Sequence, residues 1–395
     1  MSADDLRVAR VDDGPTFASL ESEWDALLER SSARSVFLRW GWLHASWIAF
    51  GTGHDLRLYT VRDGDGRLVG VAPLQRRRTE GAQRVRVQTF LGTERISSDF
   101  LDFVVDAARE RDVADALWSA IAADAGEIDV ALWSDVLATS VVARLVVPAA
   151  AAAGWHVWDD LAEYCPHLPL PDSVDTILAA RGKSLRDNVR RSTRRLEPMG
   201  LAFDAVDTPE ALPGALDALY RLHAARWSRK GRQGNFRDPR IRAFHDLAAP
   251  RLAKAGALRL YRLRLHEREI AVLYALEHRG VLSYYQAGFD PTPPDPSMRA
   301  YTYSPGVVLI AKVMGDAIAR GDREFDFLRG HESAKFRWTP TYRVTRTLTA
   351  VPPRRPRARL LLEGVRGMRS ARKLAKRLLG RRDPVPPPSV PGGGF

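Results

Sequence analysis

The chain has a single cysteine, Cys165, so no disulfide can form within it and a thiolate-rich metal site is excluded. It has no run of eighteen uncharged apolar residues, so no membrane-spanning helix is expected. The longest apolar run, residues 141–153, is short and interrupted by Arg144. The first ten residues carry Asp4 and Asp5 and lack an apolar core, which argues against a secretory signal. These absences point to a reducing cytoplasm. The nine histidines are scattered, with no His-x-x-x-His or Cys-x-x-Cys spacing, so no metal site is expected. There is no Gly-x-Ser-x-Gly elbow, no phosphate-binding loop of the Walker type, and no Gly-x-Gly-x-x-Gly opening a helix after a strand.

The formal charge is +12, but it is unevenly spread. Twelve Arg and Lys lie between residues 353 and 383 against only Glu363 and Asp383, which leaves the rest of the chain with a net charge of only +2. A nearly neutral body is a poor electrostatic platform for DNA or RNA, and nucleic acid is not an expected partner. In the tail, Leu361, Val365, Met368, Ala375 and Leu379 fall on one helical stripe among basic residues. That composition suits a helix of residues 357–379 lying on an anionic membrane, with a solvated tail as the alternative. The Pro- and Gly-rich residues 384–395 are expected to be disordered.

The rest alternates between strand and helix patterns. Leu56-Arg57-Leu58-Tyr59-Thr60-Val61-Arg62 alternates as a strand, Asp63-Gly64-Asp65-Gly66 supplies a hairpin turn, and residues 68–74 return. Leu258-Arg259-Leu260-Tyr261-Arg262-Leu263-Arg264 repeats the first strand almost letter for letter, and residues 268–273 repeat its return. The one-residue slip between the copies falls in the turn, where a deletion is best tolerated. The repeat predicts a duplicated domain. Helices are expected over residues 107–123, 173–180, 184–197, 210–226, 240–255 and 305–320. The fold class is therefore α/β (α+β): two tandem domains, residues 1–165 and 166–350, each a mixed, mostly antiparallel sheet flanked by helices, then a basic tail, 351–395.

The chemistry is expected between residues 301 and 338. A helix starting near Pro305-Gly306 offers free amides and the positive end of its dipole, which could hold a pyrophosphate. Simple capping by Ser304 with Pro305 at the first position explains the same letters. In Phe325-Asp326-Phe327 the rings take one face and the carboxylate the other. Asp326 is a candidate base for an attacking amine, or else a structural ion pair with Arg329 or Lys335. His331 and Glu332 are rival bases. Lys335 and Arg329 could bind phosphate or an acceptor carboxylate, and Trp338 reads as a core or cleft wall. Lys183, Arg186, Arg190 and Arg194 form one positive helix face, either solvated or an anionic substrate site.

This stretch resembles the C-terminal half of the Fem-type and CelD-like acyltransferases, within the wider GNAT-like fold. The resemblance is carried by Tyr303-Ser304-Pro305-Gly306-Val307-Val308-Leu309, Gly321, Phe325-Asp326-Phe327-Leu328-Arg329-Gly330, Lys335 and Trp338. Upstream it includes Lys183-Ser184-Leu185-Arg186-Asp187-Asn188-Val189-Arg190-Arg191 and Tyr285-Gln286-Ala287-Gly288-Phe289-Asp290. It covers about residues 180–345, and more weakly 35–170. Tyr303-Ser304-Pro305-Gly306 stands where ordinary GNAT enzymes carry a Gln/Arg-x-x-Gly-x-Gly loop. The resemblance implies an acyl-CoA donor, probed by Tyr303, Ser304, Pro305, Gly306 and Val307. It implies substrate contacts from Arg186, Arg190, Tyr285, Arg329, Lys335 and Trp338. The implied acceptor is an amine or hydroxyl on a small molecule, glycan or lipid-linked envelope precursor, with the basic tail at the inner face of the membrane. An aminoacyl-tRNA donor and a non-catalytic accessory role in polysaccharide biosynthesis are the alternatives. Cys165 precedes Pro166 near the expected crossover between halves, and no acyl-cysteine intermediate is expected.

Overall fold

Alternation of apolar and charged residues makes the two repeated segments into strands, and a tight turn pairs each with its successor. The structure, a computed structural model, describes residues 5–79, 85–93, 95–206, 208–229, 231–295, 298 and 303–378. The expected disorder of residues 384–395 lies outside the described residues. The described residues divide into two compact units, one drawn from the ranges 1–47, 51–163 and 344–395, the other from 48–50 and 164–343.

In chain order the elements begin β1 (Arg7–Val11), α1 (Gly14–Ser19), α2 (Glu21–Arg30), α3 (Trp40–Phe50), β2 (Asp55–Arg62), β3 (Leu68–Arg78), β4 (Arg86–Phe90), β5 (Val104–Val105) and α4 (Glu110–Ala123). There follow β6 (Val130–Leu137), α5 (Val147–Ala152), β7 (His156–Pro169), α6 (Val174–Ala179), α7 (Lys183–Leu196), β8 (Leu201–Val206), α8 (Leu212–Ser228) and α9 (Pro239–Lys254). The last are β9 (Leu258–Leu265), β10 (Arg268–His278), β11 (Val281–Phe289), α10 (Pro305–Ala319), β12 (Glu324–Asp326), α11 (Ser333–Phe336), β13 (Tyr342–Val351) and α12 (Pro356–Leu378).

The first unit's sheet runs β1-β2-β3-β4-β6-β13 and the second unit's β8-β9-β10-β11-β12-β7. The pairings repeat. β1–β2, β2–β3 and β3–β4 are antiparallel and β4–β6 is parallel. β8–β9, β9–β10 and β10–β11 are antiparallel and β11–β12 is parallel. The repeated hairpins thus occupy equivalent places, β2–β3 and β9–β10.

The closing strand of each sheet corrects the expected boundaries. β13, taken from sequence as the end of the second domain, pairs antiparallel with β6 and joins the first unit. β7 pairs antiparallel with β12 through His167, Leu168 and Pro169. The start of the tail packs on the first unit's sheet. Ala358 is buried, and half-buried Leu362 packs with it against Val87, Val130, Val351 and Trp158. The Arg366 guanidinium lies 5.5 Å over the Trp158 ring and pairs with Asp160. The start of α12 therefore spends one apolar edge on its own sheet, while Leu360 on another side is 67% exposed.

In the second unit α6, α7 and α10 share one core with alternate strand residues, among them Leu263, Ala271, Leu273, Leu282, Phe325 and Phe327. The opposite strand faces, including Leu260, Val272 and Tyr274, meet α8 and α9. Gly288 permits that second layer. A Cβ there would come within 2.5 Å of the backbone nitrogen of His223 and 2.8 Å of the Leu222 carbonyl carbon, so helix and strand touch backbone to backbone. Gly288→Ala should therefore lower the unfolding free energy by about 1–3 kcal/mol. Gly214→Ala, on α8 with open space around it, should raise it by about 0.5–1 kcal/mol. Urea denaturation of both variants checks the pair, and equal shifts would contradict the close approach.

Candidate active site

Parallel pairing between β11 and β12 lasts three residues: Val281 with Glu324, Leu282 with Phe325, Ser283 with Asp326. Beyond them the strands part. β11 continues to Phe289 along β10, with a bulge after Tyr284. The chain after β12 instead keeps to β7, where the Phe327 amide donates to the Pro166 carbonyl (2.9 Å) and the Gly330 amide to the Tyr164 carbonyl (2.9 Å). A V-shaped split opens, with the outer backbone edge of residues 284–289 along one side. Bulges beside active sites commonly end pairing in this way.

The turn that ends β12 is built from the predicted motif. Leu328 has φ +56° and Gly330 φ +125°, a conformation that costs an L side chain energy and suits glycine. The Asp326 carboxylate accepts from the Leu328 amide (2.7 Å) and lies 3.6 Å from Arg343. Arg343 also pairs with Glu324. Lys335 Nζ donates to the carbonyls of Leu328 (3.4 Å) and Arg329. Asp326 is 1% exposed. It forms an ion pair with Arg343, which the spacing did not suggest. The reason is that β13 brings Arg343 beside the buried end of β12, whereas Lys335 is held by the turn's carbonyls. His167 lies opposite Asp326 in register, and burial first, then Arg343, pushes its pKa down.

The split is lined by groups the motif search did not single out. Tyr284 faces Phe327 at 6.0 Å between ring centroids. Arg226 of α8 donates to the Ala287 carbonyl (3.3 Å) on the unpaired edge of β11 and lies 4.9 Å over the Phe289 ring. Burial raises the Tyr284 pKa, while Arg226 lowers it and Glu332 raises it. Glu332 is exposed and pairs with Lys335 at 3.4 Å; His331 is exposed as well.

α10 follows β11 and begins at the open end of the split. Ser304 occupies its N-cap with no side-chain capping bond. The Val307 and Val308 amides turn back to the Ser304 carbonyl (3.1 and 3.2 Å). Gly306 lies against Phe289, 3.1 Å from where a Cβ would sit. Ser304, Gly306 and Val307 are partly exposed, whereas Tyr303 and Pro305 are buried. Tyr303's hydroxyl has no hydrogen-bond partner, and burial, then Asp290, raises its pKa. A cleft of about 560 Å³ beside the β9–β10 turn is lined by Met199, Leu265, His266, Glu267, Arg268 and Pro294. Arg268 pairs with Asp290 on the loop leading to α10.

Other expected contacts fall elsewhere. Trp338 is 2% exposed, within the core beside Phe325 and Phe327. Tyr285 turns to the α9 side, its hydroxyl 3.4 Å from His245 Nε2. Arg186 is half-buried on α7, and Arg190 is exposed, 3.5 Å from Asp175. Arg226 was legible only as part of a basic run that straddles two helices. No group of His, Cys, Asp and Glu among the described residues could hold a metal ion.

In the first unit the matching place is filled. β4 and β6 pair through Val87, Gln88 and Thr89. At the next positions Phe103 packs against Phe90 (6.1 Å) and Trp133 (6.4 Å), all three fully buried.

Asp326→Asn should cost about 1.5–3 kcal/mol of stability, because it weakens a charge-assisted bond and leaves Arg343 less compensated. A loss of turnover with unchanged melting would instead make Asp326 a reacting group. Burial lowers the pKa of His245 to about 3 from the ordinary 6.5. The neutral ring's contribution is complete above pH 6.5 and is lost as pH falls towards about 3. Between pH 6.5 and 5 the unfolding free energy should fall by up to about 2 kcal/mol from this residue. His245→Phe should flatten the slope in pH-dependent denaturation; an unchanged slope would exclude it as the source.

Residues 183–336 match the family described as Acetyltransferase (GNAT) domain. None of the curated proteins matches the chain. Among solved structures, one described as FemX superposes with a TM-score of 0.61 at 13% identity, over 90% of this chain and 99% of that one. The C-terminal domain of a putative lysylphosphatidylglycerol synthetase from Agrobacterium fabrum gives 0.51 at 13%, over 89% and 97%. L-PGS from Bacillus licheniformis gives 0.50 at 13%, over 91% and 97%. At these identities the likeness is one of fold. The chain is a mixed α/β protein of GNAT-like, acyltransferase-like fold, and the stretch that matches the GNAT model lies in the unit that carries the split.

Proposed function

We propose that the second unit transfers an acyl group from acyl-CoA to an amine or hydroxyl acceptor. The observation that carries this reading is the split between β11 and β12 with the uncapped N-terminus of α10 at its open end. An extended thioester arm can pair with the free edge of residues 284–289, as another strand would. The diphosphate meets the partly exposed Gly306 amide, the first-turn donor that the Ser304 carbonyl leaves over, with the helix dipole behind it. Backbone donors along the split polarise the thioester carbonyl, and holding donor and acceptor together removes the entropic cost of their encounter. We assign Glu332, exposed in the loop after the turn, to take the acceptor's proton, because Asp326 is engaged in the turn. The nucleophile attacks the thioester carbon, the C–S bond breaks, and coenzyme A leaves as thiol.

The resemblance to Fem-type and CelD-like enzymes supports an envelope glycan or lipid-linked precursor as acceptor, with the protein working in the cytoplasm near the membrane. No described helix is long and apolar enough to cross a membrane. α8 and α9, where an aminoacyl-tRNA reading would want a projecting helical arm, pack on the sheet instead.

Isothermal titration of the full chain with acetyl-CoA and longer acyl-CoAs should show binding. Absence of heat with any of them at millimolar concentration would remove the acyl-CoA reading and favour an accessory role. Ser304→Asp supplies a good N-cap and a negative charge at once, so it should hold or raise the melting temperature while weakening acyl-CoA binding tenfold or more, about 1.4 kcal/mol. Unweakened binding would place the diphosphate elsewhere.

A further inference from the structure

Residues 226–242 contain Arg226, Arg229, Lys230, Arg232, Arg237, Arg240 and Arg242 against a single acid, Asp238. On the strands of this unit several arginines find carboxylates: Arg262 and Arg264 share Asp204, and Arg343 meets Glu324 and Asp326, while Arg221 of α8 pairs with Glu269; Arg259 and Arg323 bond only backbone carbonyls. In the basic segment only Arg240 finds a carboxylate, at 3.5 Å from Asp238. Among the described residues, Arg226, Arg229, Arg232, Arg237 and Arg242 have no acidic partner. The C-terminal dipole of α8 accounts for a cation or two near its last turn. It does not account for the residues beyond the helix, nor for where Arg226 points.

Arg226 is the innermost of the set. It is half-buried against Phe289 and Trp227, reaches the Ala287 carbonyl in the split, and keeps a buried Nε with no hydrogen-bond partner. Arg229 follows it outward and donates to the Pro291 carbonyl (2.7 Å) on the loop after β11. A guanidinium held in a partly dry cleft without a counter-charge is poised for an oxyanion, which it can meet with charge and paired hydrogen bonds.

We propose that the acceptor is anionic, bearing a carboxylate or phosphate beside its nucleophile, and that it enters over the basic segment 226–242 with Arg226 as its innermost contact. This rests on the acyl-transfer reading above. The α8–α9 connection then sets acceptor specificity, while α10 holds the donor. The field of the basic segment gathers anions at the mouth, and Arg226 selects those that fit the split.

The test uses the full chain saturated with coenzyme A, so that the α10 end is occupied. Melting is followed with acetate, inorganic phosphate or chloride at matched ionic strength. Acetate or phosphate should raise the melting temperature above chloride, and Arg226→Gln should lose that rise while keeping its affinity for coenzyme A. A rise with acetate alone indicates a carboxylate acceptor, and with phosphate alone a phosphorylated one. No rise over chloride, or an Arg226→Gln variant that loses coenzyme A binding, overturns the proposal. The second result would assign Arg226 to the donor and leave the acyl-transfer reading intact. A wild-type protein that binds no coenzyme A fails the underlying reading instead. In transfer assays that read thiol release, amines bearing a carboxylate or phosphate should show at least tenfold lower KM than their neutral counterparts. Arg226→Gln should erase that difference and Arg226→Lys restore part of it; neutral amines preferred by the wild type would equally overturn the proposal.

Discussion

β12 runs beside β11 for three residues and is then pulled away, and the geometry of the site follows from that departure. The pull is electrostatic and local. Asp326, buried with Arg343 near it, accepts the Leu328 amide and holds that residue in a left-handed conformation. Lys335 gathers the next carbonyls, and the Phe327 and Gly330 amides attach to β7 rather than to β11. A carboxylate without these donors would be costly at 1% exposure, and a leucine at positive φ would not persist without them. Burial, strain and hydrogen bonding therefore support one another. The result is an unpaired strand edge in the interior of a sheet, which proteins ordinarily avoid unless something binds there.

The same pairing scheme serves both units but leads to different outcomes. Where the second unit opens after Ser283 and Asp326, the first inserts Phe103 between Phe90 and Trp133. Aromatic rings are an economical filler because each buries a large apolar surface in a fixed shape. The first unit is thus a packed partner in which the fold is retained and the equivalent gap is closed. The likeness to FemX and to lysylphosphatidylglycerol synthetase structures extends over nearly all of this chain, so the two-unit plan is a property of the fold and not of one substrate.

Much of the second unit was legible in its letters. The repeat of Leu56–Arg62 at residues 258–264 identified equivalent hairpins, and the helices α7, α8, α9 and α10 lie within a few residues of their expected spans. Ser304, Gly306 and Val307 stand at the helix start that the letters suggested. Reading failed where the partner is distant. Arg343 lies 17 residues from Asp326 and reaches it only because β13 passes there, so nearer cations looked equally suitable. Tyr285 was expected as a substrate contact from the resemblance alone, which does not say to which face the ring turns; the bulge and α9 bring its hydroxyl to His245.

The sequence by itself determined most of the elements, the duplicated hairpin and the absence of a disulfide within the chain. These depend on local periodicity and residue type, which short-range sterics and hydrogen bonding translate directly. Only the tertiary structure decided that β7 closes the second sheet and β13 the first, that Asp326 belongs to a turn, and that Arg226 stands over the split. Those outcomes depend on strand pairing between residues far apart in the chain, and no local pattern encodes which edge a strand will find.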